Sequence, residues 1–163
     1  MFLDRDGVVN VEKNYLHRIG DFEFIDGIFD VCRVYRERGY RIVIVTNQSG
    51  IARGYYSEAD FERLTAWMVG EFEKRGIDIA GVYYCPHHPD FSGVCSCRKP
   101  EPGMLTQAAE ELGIDLARSV MIGDSERDIS AAHRAGVQEA YLLSDCAESS
   151  AATRIISSLR ELL

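Results

Sequence analysis

The chain has 163 residues, of which 46% are hydrophobic and 27% are charged, and its formal net charge is −8. This composition is typical of a globular protein with a sizeable core, and it predicts one domain over residues 1–163. The negative charge disfavours a nucleic-acid backbone as partner, and no apolar run approaches the roughly 20 residues of a membrane-spanning helix. We therefore expect neither a nucleic-acid nor a membrane partner, and a bound anion would need local cations or a metal.

The first half of the chain alternates predicted strands with predicted helices. A short apolar run over residues 2–4 precedes a mixed stretch, residues 11–26, that has the character of a loop. Residues 27–38 carry apolar side chains at helical spacing, and the β-branched run 41–46 is typical of a strand buried on both faces. A serine followed by an acid three residues later predicts the start of a helix over residues 57–74.

The second half continues the alternation. It contains six predicted elements: a strand at 79–84, a helix at 102–112, an apolar strand run at 119–124, a helix at 125–135, a short strand at 140–143 and an amphipathic helix at 151–163. Strands that alternate with helices predict an α/β fold, a doubly wound parallel sheet with helices on both faces.

Polar side chains stand at the ends of three predicted strands. Asp4, Thr46 and Asp124 occupy these ends, and Asp6 follows two residues after Asp4. Because the carboxyl ends of parallel strands lie along one edge of a sheet, these side chains should converge, and Lys99 is placed to reach the same crevice. The Asp-x-Asp pair alone is equally compatible with two solvated acids in a surface loop, so the remaining motifs decide.

Four soft metal ligands are clustered in residues 85–97. Cys85-Pro-His87 and Cys95-Ser-Cys97 supply three thiolates and one imidazole, which complete a tetrahedral zinc shell with no open position. We therefore predict a structural zinc site in this loop. A cluster of this kind is typical of a reducing cytoplasm rather than of a disulfide framework. Two alternatives stay open: His88 competes with His87 as the ligand, or the cysteines are simply reduced and half-buried.

Four short motifs carry a family resemblance. Taken in chain order, Asp4-x-Asp6-Gly-Val, Thr46-Asn47, Lys99 and Gly123-Asp124-x-x-x-Asp128 resemble the motifs of the haloacid-dehalogenase (HAD) superfamily of phosphatases. The resemblance spans essentially the whole chain, and no separate cap domain is evident. It implies that Asp4 is the nucleophile that attacks phosphorus and that Asp6 is the general acid and base. It also implies Mg²⁺ held by the Asp4 carboxylate, the Asp6 backbone carbonyl and Asp124.

The same resemblance implies supporting roles for further residues. The Thr46 hydroxyl, the Asn47 amide and the Lys99 ammonium would hold the oxygens of the transferring phosphoryl group. Asp128 would orient Lys99 or support the metal shell, and the alternative for Asp128 is an ordinary helix acid.

Longer segments are similar to one branch of the superfamily. The stretches Thr46–Gly54 and Cys85–Met104 resemble the D-glycero-D-manno-heptose 1,7-bisphosphate 7-phosphatases. Histidinol-phosphate phosphatases, which share the first motif and the zinc loop, are the alternative branch. An inactive zinc-stabilised binding module is the alternative of a different class. The heptose branch implies a phosphorylated sugar as substrate and a role in ADP-heptose and lipopolysaccharide-core precursor synthesis, and we expect a cytoplasmic monomer.

A sugar bisphosphate carries a second phosphate, which calls for a cation beyond the motif lysine. Arg53 and Arg98 are the candidates, because a guanidinium can bind phosphate in a bidentate manner. The alternative is that both are surface arginines paired with acids such as Glu58 or Glu101. The branch resemblance adds further expected pocket residues: Gln48, Ser49 and the loop 12–15.

Overall fold

The computed structural model describes residues 1–163, and its six strands form one parallel sheet. The strands are β1 (Phe2–Leu3), β2 (Ile42–Asn47), β3 (Ile79–Cys85), β4 (Val120–Gly123), β5 (Glu139–Leu143) and β6 (Arg154–Ile156). Their order across the sheet is β3-β2-β1-β4-β5-β6, so the first strand lies between β2 and β4 and the chain winds outwards to both sides. This is the doubly wound α/β arrangement that the sequence predicts.

Helices cover both faces of this sheet. They are α1 (Ile28–Glu37), α2 (Glu58–Glu73), α3 (Pro89–Ser92), α4 (Gly103–Leu112) and α5 (Glu126–Ala135), with 3-10 turns at Ile19–Asp21, Leu116–Arg118 and Leu159–Leu162. Helices α1 and α2 contribute to one hydrophobic cluster, and α4 and α5 contribute to the other. The short helix α3, inside the cysteine-rich loop, was not predicted. None of the helices has the length and apolar character needed to cross a bilayer.

Alternation along the central strands divides the core into these two clusters. On β2, Ile42 and Ile44 point towards α1 and α2, whereas Val43 and Val45 point towards α4 and α5. All four side chains are fully buried, which explains why the run is apolar at every position rather than at alternate ones. The polar residues that follow each strand are therefore the first that can meet solvent, at the carboxyl edge of the sheet.

The predicted C-terminal helix is wrong. Residues 154–156 form β6, which pairs in parallel with β5, and a 3-10 turn follows at residues 159–162. Consecutive β-branched residues at 155 and 156 favour extended structure, and Ile156 is buried in the core. Leu159 and Leu162 are both buried at a spacing of three, and this spacing produces an amphipathic pattern in a 3-10 turn as well as in an α-helix.

Candidate active site

The strand ends open into one polar pocket of about 500 Å³. The pocket is lined by every residue predicted for catalysis, substrate binding, Mg²⁺ binding or support of the site: Asp4, Asp6, Thr46, Asn47, Gln48, Ser49, Arg53, Arg98, Lys99, Asp124 and Asp128. Within the loop 12–15, residues Glu12, Asn14 and Tyr15 also reach it. The alternative of separate solvated acids is therefore excluded, since the motifs share one cavity.

A buried lysine forms the centre of this pocket. The Lys99 ammonium lies 2.7 Å from Asp4 Oδ1 and 2.7 Å from Asp128 Oδ1, and it donates a hydrogen bond of 2.8 Å to the Val45 carbonyl. Burial opposes its charge, but the fields of Asp4 and Asp128 outweigh burial, and the pKa of Lys99 is raised above its ordinary value. Three partners fix the ammonium in place, and Asp128 is a partner of Lys99 rather than a solvated helix acid.

Further hydrogen bonds hold the backbone of Lys99 and the side chain of Asp128 in position. The Asn47 amide donates to the Lys99 carbonyl at 3.1 Å and accepts from the Lys99 amide at 3.0 Å. Asn47 thus lines the pocket while holding the Lys99 segment, and its direct contact with substrate stays a prediction. Asp128 Oδ2 accepts from the Ser125 amide at 3.1 Å and from the Ser125 hydroxyl at 2.8 Å, in a capping box at the start of α5.

Three carboxylates face one another across the pocket floor. Asp4, Asp124 and Asp128 offer oxygen atoms that all lie within 4.8 Å of one another. Burial is the largest cause that raises the pKa of Asp4 to about 8 and that of Asp124 to about 6, and the neighbouring Asp128 carboxylate contributes to both shifts. Because one ammonium contacts this group of acids, negative charge remains in excess, and a hard divalent cation fits the all-oxygen donor set. The structure brings together two predicted Mg²⁺ ligands, Asp4 and Asp124.

Gly7 allows the loop after β1 to pass beside Asp124. Its φ is +91°, a left-handed conformation that glycine adopts without strain. A Cβ atom at this position would lie 2.0 Å from Asp124 Oδ2, which is far inside van der Waals contact. Glycine is therefore required both by the backbone conformation and by the approach of the carboxylate.

The second motif acid, Asp6, is held by donors on both of its oxygens. Oδ1 accepts from Arg5 Nη2 at 2.8 Å and from Asn10 Nδ2 at 3.1 Å, and Oδ2 accepts from Gln48 Nε2 at 3.0 Å. Sequence analysis missed Arg5 and Asn10, which are 1% and 0% exposed. Arg5 lies inside the first motif, but no pattern in the sequence distinguishes a buried arginine from a surface one. Gln48, predicted to bind substrate, also contacts an acid of the motif.

The two candidate arginines are not paired with acids. Glu58 accepts a hydrogen bond from a tyrosine hydroxyl, and Glu101 forms an ion pair of 2.8 Å with Arg134. The alternative that these acids neutralise Arg53 and Arg98 is therefore wrong. Both guanidiniums line the pocket, together with the Arg127 side chain, which the sequence analysis did not single out.

Each candidate arginine instead contacts a histidine of the cysteine-rich loop. Arg98 donates to the His87 carbonyl at 3.2 Å, and Arg53 Nη2 lies 2.8 Å from His88 Nε2. The Arg53 guanidinium also lies over the ring of Phe91, 4.9 Å from its centroid. These contacts place positive charge at the pocket wall without cancelling it.

The cysteine-rich loop gathers its four predicted ligands into one cluster that could hold zinc. Sγ of Cys85 lies 3.0 Å from Sγ of Cys97 and 3.5 Å from Sγ of Cys95, and Nδ1 of His87 lies 3.3 Å from Sγ of Cys97. The competing His88 turns its ring towards a pocket arginine instead. Geometry therefore selects His87, and three sulfurs with one nitrogen suit a closed tetrahedral zinc site.

Comparisons with known proteins show the family to which the chain belongs. Residues 96–162 match a family model described as HAD-hydrolase-like. A D-glycero-beta-D-manno-heptose-1,7-bisphosphate 7-phosphatase of Yersinia pestis is 54% identical over 142 residues, which cover 84% of this chain and 76% of the relative. A D-glycero-alpha-D-manno-heptose-1,7-bisphosphate 7-phosphatase of Photorhabdus laumondii is 46% identical over 147 residues, covering 87% of this chain and 80% of the relative.

A solved structure agrees with the fold over nearly its whole length. The crystal structure of D,D-heptose 1,7-bisphosphate phosphatase from B. bronchiseptica, complexed with magnesium and phosphate, has a TM-score of 0.82 and is 30% identical. The likeness covers 98% of this chain and 92% of that one.

Replacing Gly7 should damage the cation site specifically. We expect Gly7→Ala to lower Mg²⁺ affinity at least about tenfold, because the new methyl group displaces the Asp124 carboxylate. Calorimetric titration with Mg²⁺ measures this loss. Gly39→Ala is the matched control: φ at Gly39 is +87°, but nothing lies within 4 Å of the added Cβ.

Both alanine variants should lose about 1–2 kcal/mol of unfolding free energy from the left-handed conformation, so only the local clash separates them. Equal Mg²⁺ affinity in the two variants would contradict this account of the cation site.

Zinc content tests the cysteine cluster. We expect about one zinc per chain by elemental mass spectrometry, and loss of that zinc in Cys97→Ser, because a closed structural site tolerates no missing ligand. Cys146→Ser is the control, since Cys146 is an exposed free cysteine outside the cluster. Wild-type protein without zinc would show that the cluster consists of ordinary reduced thiols, and equal zinc in all three proteins would show that Cys97 is not a zinc ligand.

Proposed function

Because the chain belongs to the HAD-like family of D-glycero-D-manno-heptose 1,7-bisphosphate 7-phosphatases, we propose that it removes the 7-phosphate of that sugar bisphosphate. The observation that carries this proposal is the single pocket that joins Asp4, Lys99, Asp124 and Asp128. A binding module has no need for a buried lysine that bridges two acids beside a third, whereas phosphoryl transfer to a carboxylate does.

The acids have distinct roles in the proposed reaction. The Asp4 carboxylate attacks phosphorus in line, and the bond from phosphorus to the sugar oxygen breaks to leave an aspartyl-phosphate. Asp6 gives its proton to the departing alkoxide and then takes a proton from the water that hydrolyses the intermediate. Mg²⁺, held by the Asp4 and Asp124 carboxylates with the Asp6 backbone carbonyl, would neutralise the repulsion between the nucleophile and the phosphate.

Neutral and cationic donors complete the site for the transferring phosphoryl group. Lys99 is fixed beside Asp4, so its charge is in place before the substrate binds. The Thr46 hydroxyl accepts a hydrogen bond of 2.8 Å from Gln48, which leaves its own proton free to donate to a phosphoryl oxygen. These donors act on the oxygens that carry charge in the transition state.

The second phosphate of the substrate would bind at the pocket wall. Arg53 and Arg98 line the wall with no acid partner, and Ser49 lines the same pocket. A guanidinium that is not neutralised by a carboxylate keeps its full attraction for a phosphate dianion. Histidinol phosphate has no second phosphate to use these cations, so the pocket favours the bisphosphate.

The wider assignment follows from this activity. We place the product in ADP-heptose synthesis for the lipopolysaccharide core. We assign residues 1–163 to one phosphatase domain with a zinc loop at 85–97, acting as a cytoplasmic monomer with catalytic Mg²⁺ and structural Zn²⁺.

Phosphate release from the two candidate substrates tests the function. We expect kcat/KM with Mg²⁺ to be at least about a hundredfold higher for heptose 1,7-bisphosphate than for histidinol phosphate, because the second phosphate binds otherwise unpaired guanidiniums. Asp4→Asn should lower turnover by about a thousandfold or more, since an amide cannot act as the nucleophile.

Asp21→Asn is the control, because Asp21 is an exposed acid on the loop before α1. A preference for histidinol phosphate would refute the heptose assignment, and full activity in Asp4→Asn would refute the nucleophile.

A further inference from the structure

A buried hydrogen-bonded chain leads from Tyr56 to the proposed acid–base residue. The Tyr56 hydroxyl donates to Gln48 Oε1 at 2.5 Å, and Gln48 Nε2 donates to Thr46 Oγ1 at 2.8 Å and to Asp6 Oδ2 at 3.0 Å. Tyr56 is 7% exposed and Gln48 is 2% exposed. Both polar ends of the glutamine amide are therefore engaged inside the protein.

The direction of this chain determines which end of the amide faces Asp6. A carboxylate accepts hydrogen bonds, so the NH₂ end of Gln48 must face it, and a reversed amide would set two acceptors against each other. Burial raises the pKa of Tyr56 to about 12, so its hydroxyl keeps the proton that it donates to Gln48 Oε1. Tyr56 thus stabilises and positions the amide in the orientation in which Gln48 donates to Asp6.

Close packing holds the Tyr56 ring in this place. His17 stacks on it with ring centroids 5.1 Å apart and an interplanar angle of 11°. On another side, a Cβ atom at Gly50 would lie 2.2 Å from Tyr56 Cε1, so the ring occupies the space of the absent side chain. The neighbouring Tyr55 is exposed, packs edge-on against the Tyr15 ring with centroids 4.7 Å apart, and makes no hydrogen bond through its hydroxyl.

We propose that Tyr56 is a positioning residue for proton transfer, which acts through Gln48 to aim Asp6 at the oxygen of the leaving group. The proposal rests on the proposed function, because it concerns the step in which the bond from phosphorus to oxygen breaks. In that step the proton passes from the Asp6 carboxyl group to the departing alkoxide, and the electron pair of the broken bond becomes the new O–H bond. Gln48 and Tyr56 neither gain nor lose a proton.

Two substrates with different leaving groups test this role. An alkoxide needs a proton as it departs, whereas 4-nitrophenolate departs without one. We expect Tyr56→Phe to lower kcat/KM for heptose 1,7-bisphosphate about tenfold and for 4-nitrophenyl phosphate less than about twofold. The reason is that a displaced Asp6 slows only the reaction whose leaving group must be protonated. The constant kcat/KM is used because it reports the steps up to departure of the leaving group. A merely structural defect would lower both values together.

Further variants keep the test independent of folding. Tyr55→Phe is the matched control and should leave both kcat/KM values unchanged. Gly50→Ala should reproduce the selective loss of Tyr56→Phe, because the added methyl group displaces the Tyr56 ring. In a Gln48→Ala background, Tyr56→Phe should cause no further loss, since the connection to Asp6 is already broken. Thermal unfolding of each variant confirms that it is folded.

The outcomes separate this proposal from the assigned function. An equal loss on both esters, no loss on either, or an additive loss in the Gln48→Ala background would overturn the role of Tyr56. If wild-type protein hydrolyses 4-nitrophenyl phosphate but not the heptose bisphosphate, the assigned substrate fails. The loss of kcat/KM in Tyr56→Phe is then measured with histidinol phosphate in place of the heptose bisphosphate, because its alkoxide leaving group also needs a proton from Asp6.

Discussion

The site depends on one buried ammonium shared between two carboxylates. Lys99 is 2% exposed, and it is stable there because Asp4 and Asp128 each lie 2.7 Å from its Nζ atom. Loss of one such partner would leave a buried charge uncompensated and would strongly destabilise the folded protein, so the fold must bring all three residues into contact. They come from the end of β1, the segment before α4 and the first turn of α5. Because β1 lies beside both β2 and β4 in the centre of the sheet, Asp4 at its end can meet the other two residues.

Local structure then keeps this arrangement in place and shapes its charge. A capping box holds Asp128, and the side-chain amide of Asn47 forms hydrogen bonds with both the N–H and the carbonyl group of Lys99. The cysteine cluster ends at Cys97, two residues before the lysine, so a zinc ion there would restrain the same segment from the other side. Acids occupy the pocket floor, where they suit a cation, and guanidiniums occupy its wall, where they suit a substrate phosphate.

The sequence predicted the parts of the fold and of the site that depend on local pattern. Buried parallel strands are apolar almost throughout, and the predicted catalytic motifs stand at or just after their ends, so both could be recognised. The leucines at 159 and 162 wrongly predicted an α-helix because a 3-10 turn and an α-helix both repeat apolar residues at that spacing. Arg5 and Tyr56 were missed because only tertiary packing shows that their polar groups are buried. The choice of His87 over His88 likewise needed the geometry of the folded loop.

The central claim is that the carboxylate of Asp4 becomes covalently phosphorylated during turnover. The direct measurement is a rapid acid quench of the enzyme with Mg²⁺ and radiolabelled heptose bisphosphate, followed by borohydride reduction and peptide mapping. The account predicts protein-bound phosphate whose reduction converts the aspartate at position 4, and no other, to homoserine. Phosphate release without a covalent intermediate, or label on a different residue, would contradict it.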